Sequence, residues 1–173
     1  MRAMVRGSAL ALIPFLTPAL ALAGDDPLLR FFPTAVQVPG LKATGDARHC
    51  GGGEELTAIY DGGYQRYVEA GVTGASQRFF RLQGGTVEVT LHQMKDQAAA
   101  QKFLASLCND IKAPVQSLPL GSLCLSEGQD SAYGYLVLGK LLAMASFDRS
   151  DPKTTRAILR AVAERAAGAR RLR

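Results

Sequence analysis

The sequence has no tryptophan, and few of its residues are aromatic or histidine. Aromatic residues make up 7% of the 173 residues, and there are two histidines. A metal centre built from several imidazoles is therefore excluded. The three cysteines do not form a close pair, so a cysteine-based zinc site and the C-x-x-C-H haem motif are absent as well.

Motifs of the common catalytic and nucleotide-binding sites are missing too. The sequence contains no G-x-S-x-G elbow, no phosphate-binding glycine loop with its lysine, and no dinucleotide fingerprint. Each of these motifs supplies groups that its chemistry requires. We therefore expect no cofactor, and we favour a non-enzymatic protein.

The N-terminus has the three parts of a signal peptide. Arg2 and Arg6 precede an apolar segment, residues 9–20, and Ala21 and Ala23 form a small-x-small cleavage pattern. The alternative is a membrane anchor, which needs about 20 uninterrupted apolar residues, whereas prolines interrupt this shorter segment. We expect cleavage after Ala23 and a periplasmic or extracellular protein.

Residues 24–173 are expected to form a single domain with a basic C-terminal helix. No later segment is long and apolar enough to span a bilayer. The formal net charge of the whole chain is +5, and the basic surplus lies in residues 151–173. The rest of the predicted domain is slightly acidic.

Export favours one disulfide among the three cysteines. Cys108 lies near the end of a predicted helix, Cys124 lies in a short apolar segment, and the loop between them is short. We therefore favour a Cys108–Cys124 disulfide. A disulfide from Cys50 to either of these residues remains open.

Apolar spacing predicts three helices. The first covers residues 54–68, but Gly62 and Gly63 fall inside it, and each interior glycine costs roughly 1 kcal/mol, so we expect a break or kink there. The second begins after Asp96 as N-cap, and the third begins at residues 150–152.

Alternating apolar residues predict two hairpins. One pairs residues 76–82 with residues 86–94, and the other lies within residues 131–147 and turns at Gly139–Lys140. A further short strand is expected near Cys124. In the first hairpin one strand face is predicted to be dry and the other wet, with His92 on the wet face.

These elements together predict an α+β fold. The sheet is mainly antiparallel, is built from two hairpins plus a short strand, and has its helices packed on one face. Residues 24–53 are expected to be extended or loop structure, anchored by Phe31, Phe32, Val36 and Val38.

Few residues offer a chemical function. His49 and Cys50 lie beside three glycines, and a thiol at a helix N-terminus can become a nucleophile, but we favour the interpretation that Cys50 is a paired or merely exposed loop cysteine. The alternative function is therefore a small periplasmic enzyme that uses Cys50, Asp61 and Glu69. Glu88 is a further carboxylate for acid–base work.

Two other features suggest contacts with ions or surfaces. His92 and Met94 have the spacing of a copper-binding pair, but two ligands do not make a site, so we expect no metal. The C-terminal arginines are a solvated helix face that adds a weak contact with anionic membrane surfaces. They are Arg156, Arg160, Arg165, Arg170, Arg171 and Arg173. Export argues against a nucleic-acid partner.

The segment Tyr60-Asp61-Gly62-Gly63, followed by Tyr67, Glu69 and Gly71, resembles part of an exported bacterial family called domain of unknown function 6599. The family carries a segment like I-N-G-G-A-E-L-Y-L-E-Y-G-F. Residues 86–94 resemble its strand I-T-V-E-I-Y-D-M, and residues 96–103 resemble its helix with an acidic start.

The resemblance implies an α+β fold and a periplasmic or secreted location, and it brings no established activity. Asp61 stands where the family usually has asparagine, and Tyr64 where it usually has alanine. Gly62 and Gly63 form the structural motif of the resemblance; they would permit either close packing of the first helix on the hairpin or a backbone shape at which a ligand binds, and we favour packing. The expected function is binding of an envelope partner or small ligand.

Overall fold

The computed structural model describes residues 26–171, with side chains as far as residue 169. The predicted signal peptide, its cleavage site after Ala23, Arg173 and the side chains of Arg170 and Arg171 lie outside the described part.

Eight strands form one sheet within residues 26–171, and all of their pairings are antiparallel. The strands are β1 (Lys42–Ala43), β2 (Arg48–Gly51), β3 (Val72–Leu82), β4 (Gly85–Met94), β5 (Gln116–Leu118), β6 (Gly121–Glu127), β7 (Ala132–Leu138) and β8 (Leu141–Phe147). Their order is β1-β3-β4-β8-β7-β6-β5, and β2 also pairs with β3. The predicted α+β class is confirmed.

Three α-helices accompany the sheet. They are α1 (Gln65–Ala70), α2 (Gln97–Asp110) and α3 (Pro152–Arg171), and two short 3-10 helices cover Leu29–Phe31 and Gly53–Ala58. The Asp96 side chain caps α2 by accepting from the amide of Ala99 at 2.7 Å. Asp151 caps α3 in the same way, accepting from two amides at 3.1 Å. Both predicted helix starts are confirmed.

Both predicted hairpins are present. The β3–β4 turn places Gln83 and Gly84 at φ 51° and 79°, the left-handed pair of a tight hairpin turn. In the second hairpin Leu138 pairs with Leu141 across Gly139–Lys140. The strand at Cys124 is β6, whereas β1, β2 and β5 were not predicted because they have two to four residues each.

The helices lie on both faces of the sheet, so the prediction that they pack on one face is wrong. Alternate strand residues divide into two cores. Val87, Val89 and Leu91 belong to a first core with α3, whereas Met94 and Leu142 belong to a second core with α2. Since successive side chains of a strand point to opposite faces, α3 and α2 cover opposite sides.

The same two-sided cover corrects the predicted wet face of β4. Thr90 is 2% exposed and His92 is fully buried, because the second core lies over this part of the strand. In the N-terminal segment Phe32 and Val38 are buried as expected. Val36 is 93% exposed, so it does not anchor the segment.

The favoured disulfide is present. Cys108 and Cys124 are joined, and both are buried, so the bond ties α2 to β6 inside the second core. Cys50 is a free, buried cysteine on β2. None of the helices within residues 26–171 is long and apolar enough to cross a bilayer.

The predicted first helix is broken as expected, but the close-packing role of the glycines is wrong. The 3-10 helix ends at Ala58, α1 begins at Gln65, and the two glycines lie in the loop between them. A Cβ atom added at Gly62 or Gly63 would meet no other atom within 4 Å. Gly63 instead has φ +67°, a conformation that other residues adopt at a cost.

Gly63→Ala is therefore expected to lower the free energy of unfolding by about 1 kcal/mol, because alanine is strained in the left-handed region. The matched Gly62→Ala change should be nearly neutral, since its Cβ has open space and no positive φ. Urea unfolding of the two variants measures the difference. Equal losses, or the larger loss at Gly62, would contradict the conformational explanation.

Candidate functional site

The structure does not assemble the residues of the predicted enzyme. Asp61 and Glu69 are exposed, whereas Cys50 is buried on β2. Burial raises the pKa of the Cys50 thiol above its ordinary value of 9.0, and the nearby carboxylates of Glu55 and Asp26 raise it further. A thiol with a raised pKa stays protonated at neutral pH and is a poor nucleophile.

A serine, a histidine and an aspartate meet beside β2 and β3. The Ser76 hydroxyl donates to Asp26 at 2.5 Å. His49 Nδ1 lies 3.1 Å from Ser76 Oγ and 3.3 Å from Asp26 Oδ1. A hydrolytic triad needs both imidazole nitrogens, one for each partner, whereas here a single nitrogen meets both. Ser76 is also fully buried, so the trio anchors the start of the described chain to β3.

An aromatic cluster surrounds His92. The rings of Tyr60, Tyr67 and His92 are stacked, with Tyr60–Tyr67 centroids 4.0 Å apart and Tyr67–His92 centroids 5.5 Å apart. His92 Nδ1 lies 3.3 Å from the carbonyl of Leu142, so this nitrogen carries the proton. His92 Nε2 therefore accepts a hydrogen bond from the Tyr60 hydroxyl.

Burial determines the protonation of this cluster. It lowers the pKa of His92 from 6.5 to about 4, because the imidazolium would lose its hydration. Burial also raises the pKa of Tyr60 and of Tyr67 above their ordinary value. At neutral pH all three rings are uncharged.

His92 and Met94 share a face of β4, as predicted, but His92 is not arranged as a metal ligand. Both of its ring nitrogens already have hydrogen-bond partners. Within residues 26–171 no group of three or more ligand side chains comes together.

The sheet face that carries His92 is only partly covered by α2. The same face continues as two rows of residues across β3, β4, β8 and β7. One row pairs Gln77, Thr90, Met144 and Tyr135, and the next pairs Phe79, Glu88, Ser146 and Tyr133. In the first row Gln77 and Thr90 are buried and Tyr135 packs against the second core, so only the second row extends beyond the cover, and we call its four residues the open face.

Burial along the strands defines the limit of the cover. Phe79, Glu88 and Ser146 are half-buried and Tyr133 is 41% exposed. The strand residues directly before and after each of them point to the opposite face, towards α3, and are buried or half-buried there. The open face thus presents two aromatic rings, one carboxylate and one small hydroxyl to solvent. Aromatic residues are enriched at interaction surfaces, so Phe79 and Tyr133 make this row a candidate for one.

Glu88 is held in place by its neighbours. Its Oε1 accepts from Gln77 Nε2 at 2.8 Å and from the Thr90 hydroxyl at 3.3 Å. Among the described residues no group donates to Glu88 Oε2, and Glu88 forms no ion pair. Gln77 Oε1 is buried and has no hydrogen-bond partner. At the open face Glu88 therefore offers one carboxylate oxygen that has no donor among the described residues.

A groove of about 530 Å³ between α1 and α2 is the other candidate site. Arg66 and Phe103 line it, and the Arg66 guanidinium is already paired with Asp110. Lys95 and Lys102 also line it, and neither forms an ion pair with another described residue. Part of the lining of this groove is therefore made of long lysine side chains. In the open face, by contrast, strand pairing fixes the backbone positions of all the residues.

The described C-terminal arginines are partly engaged within the fold. Arg156 donates to Gln116 at 3.0 Å, and Arg165 donates to the carbonyl of Arg30 at 2.6 Å. Arg160 is exposed. The predicted solvated face is therefore smaller than the sequence indicates.

Sequence reasoning missed most of the open face. It identifies Glu88 as a carboxylate, but it assigns Tyr133 and Ser146 only to a hairpin. The signal in the sequence is that hairpin itself: Tyr133 and Tyr135 alternate with small or apolar residues, as in a strand with one wet face.

Comparison with known proteins gives little further information. No protein-family model and no curated protein matches the chain. The extracellular domain of PknH from Mycobacterium tuberculosis is similar in structure, with a TM-score of 0.47 and 9% identity over 75% of this chain and 89% of that chain. At this TM-score the similarity supports no conclusion about function.

Proposed function

We propose that this protein is an exported, non-enzymatic domain that binds an envelope partner through the open face. One observation carries the proposal: α2 covers only part of its sheet face and leaves the row of Phe79, Glu88, Ser146 and Tyr133 partly exposed. Rows fixed by strand pairing form a rigid surface, and a rigid surface loses little conformational entropy on binding.

Two features support export. Disulfides persist in oxidising compartments and are rare in the cytosol, and Cys108 and Cys124 form one inside the second core. The N-terminal sequence has the parts of a signal peptide. Periplasmic residence, cleavage after Ala23 and kinship with the exported family are parts of the same proposal.

The state of the reactive groups favours binding over catalysis. His92 is buried with both nitrogens engaged, and the Cys50 thiol is buried with a raised pKa. Neither group lies at the open face. Neither has the pKa near neutrality that general acid–base catalysis favours. A small periplasmic enzyme using Cys50, Asp61 and Glu69 is the weaker alternative.

Site-specific photocrosslinking in intact cells tests the proposal. A photoreactive residue at Tyr133 samples the open face, one at Lys102 samples the α1–α2 groove, and one at the exposed Lys153 samples α3. We expect a discrete adduct from position 133, located in the envelope fraction, and none from position 153. Adducts from position 102 alone, or from neither site, would contradict the proposed surface.

A further inference from the structure

We propose that the open face binds an arginine side chain of the partner protein, held between Glu88 and the Tyr133 ring. This inference rests on the proposed function and assigns the chemistry of the ligand. It begins with the row that pairs Phe79, Glu88, Ser146 and Tyr133 on neighbouring strands.

The spacing of the row leaves room for one side chain. Neighbouring strands lie about 4.8 Å apart, so Glu88 and Tyr133 are separated by about 10 Å, with Ser146 between them. Because serine is the shortest of these side chains, the row is lowest at Ser146, and we call this position, between Glu88 and Tyr133 on the neighbouring strands, the notch.

The two residues beside the notch favour a cation. Glu88 Oε2 has no donor among the described residues, and the Oε1 atom is held by Gln77 and Thr90, so the carboxylate is fixed before the ligand arrives. An aromatic ring attracts a cation placed over its face within about 6 Å. Both residues therefore favour positive charge, and neither offers a positive charge for an anion.

Arginine fits this notch better than lysine. Its guanidinium is planar, so one edge can donate to a carboxylate while the flat face stacks on a ring. A point-like ammonium cannot make both contacts in the same way. Because the face is open rather than enclosed, a side chain projecting from a protein partner fits it better than a free small molecule.

The charge of the whole chain makes such binding specific. The formal net charge of the whole chain is +5, and +3 remains without Arg2 and Arg6 of the predicted signal peptide, so a basic peptide is repelled by the protein on average. Three cations lie on this side of the sheet near the row: Lys42 and Arg48 are exposed on β1 and β2, and Arg81, which pairs with Lys42, donates to the Thr86 hydroxyl at 2.9 Å. None of them forms an ion pair with Glu88.

Fluorescence anisotropy tests the inference with a labelled glycine–serine peptide that carries two arginines. The matched control peptide carries citrulline, which has the same shape without the charge. We expect the arginine peptide to bind the mature protein and the citrulline peptide to bind at least about tenfold more weakly. No binding of the arginine peptide, or equal binding of the two, would overturn the inference.

Variants locate the site. Glu88→Gln should raise the Kd about tenfold, whereas Glu164→Gln, at an exposed position of α3 on the opposite face, should leave it unchanged. Tyr133→Ser, at an exposed position that does not threaten the fold, should raise the Kd about threefold. Unchanged affinity in folded Glu88→Gln and Tyr133→Ser proteins would refute the assignment. If position 133 still crosslinks to a partner in cells, the proposed function survives and only the arginine ligand fails.

Discussion

Removing the Cys108–Cys124 disulfide is expected to lower the free energy of unfolding by about 3 kcal/mol. The bond closes a loop with a sequence separation of 16 and ties α2 to β6, so its loss frees the unfolded chain from a constraint. Both cysteines are buried among apolar residues, which makes alanine the appropriate replacement at each. Urea unfolding of the double variant Cys108→Ala, Cys124→Ala measures the loss.

The free thiol supplies the control. Cys50→Ala also removes a buried cysteine, but it removes no cross-link. A reducing agent should therefore lower the free energy of unfolding of this variant by the same amount as that of the wild-type protein. Reductant should destabilise the wild-type protein and leave the double alanine variant unaffected. A double variant as stable as the wild type would show that the bond contributes nothing to the fold.

Acidification is expected to destabilise the protein through His92. The folded-state pKa is about 4 and the ordinary value is 6.5, so the unfolded chain takes up the proton first as the pH falls. The stabilising contribution is complete above pH 6.5 and is lost progressively down to about pH 4. Linkage gives a total loss of about 3 kcal/mol, of which about 2 kcal/mol falls between about pH 7 and about pH 5.

The interval from about pH 7 to about pH 5 isolates this effect, because carboxylates with ordinary pKa values titrate mainly below it. His92→Gln removes the titrating group while leaving an amide that can keep a hydrogen bond, and it should flatten the pH dependence in that interval. His49→Gln, at the exposed second histidine, should retain the loss. A wild-type protein whose stability is constant over the interval would contradict the buried neutral state of His92.

The cluster around His92 explains why its protonation is costly. Tyr60 and Tyr67 stack over the ring, Met144 lies 3.9 Å from the Tyr60 hydroxyl, and no carboxylate bonds either ring nitrogen. Glu88, whose charge raises the pKa of both tyrosines, is hydrogen-bonded through Oε1 to Gln77 and Thr90 and not to His92. A proton on Nε2 would also end its role as acceptor for Tyr60.

Local signals in the sequence were enough for the larger elements. The cap at Asp96, the helical spacing after it and the two hairpins were predicted, because each depends on residues close together in the chain. The strands β1, β2 and β5 were missed because two to four residues are too few to show a periodicity. These strands also pair only with distant partners or across a tight turn.

The positions of His92 and the open face depend on tertiary structure. Alternation along β4 indicated that the strand has two faces. It did not indicate that α2 and the segment carrying Tyr60 cover the part of one face that includes His92. The same applies to Glu88, which lies on that face four residues before His92 and beyond the cover. Which part of a sheet face stays open depends on where the covering helix ends, and the sequence of β4 does not contain that information.

The most direct test of the proposed binding surface is the crosslinking yield at position 133 when the open face is filled. Ser146→Trp places a large ring in the notch between Glu88 and Tyr133, and Ala105→Trp, at an exposed position of α2, is the control for adding a surface tryptophan elsewhere. The account predicts that Ser146→Trp abolishes the adduct in intact cells while Ala105→Trp preserves it. An adduct from position 133 that is unchanged by Ser146→Trp would contradict binding at the open face.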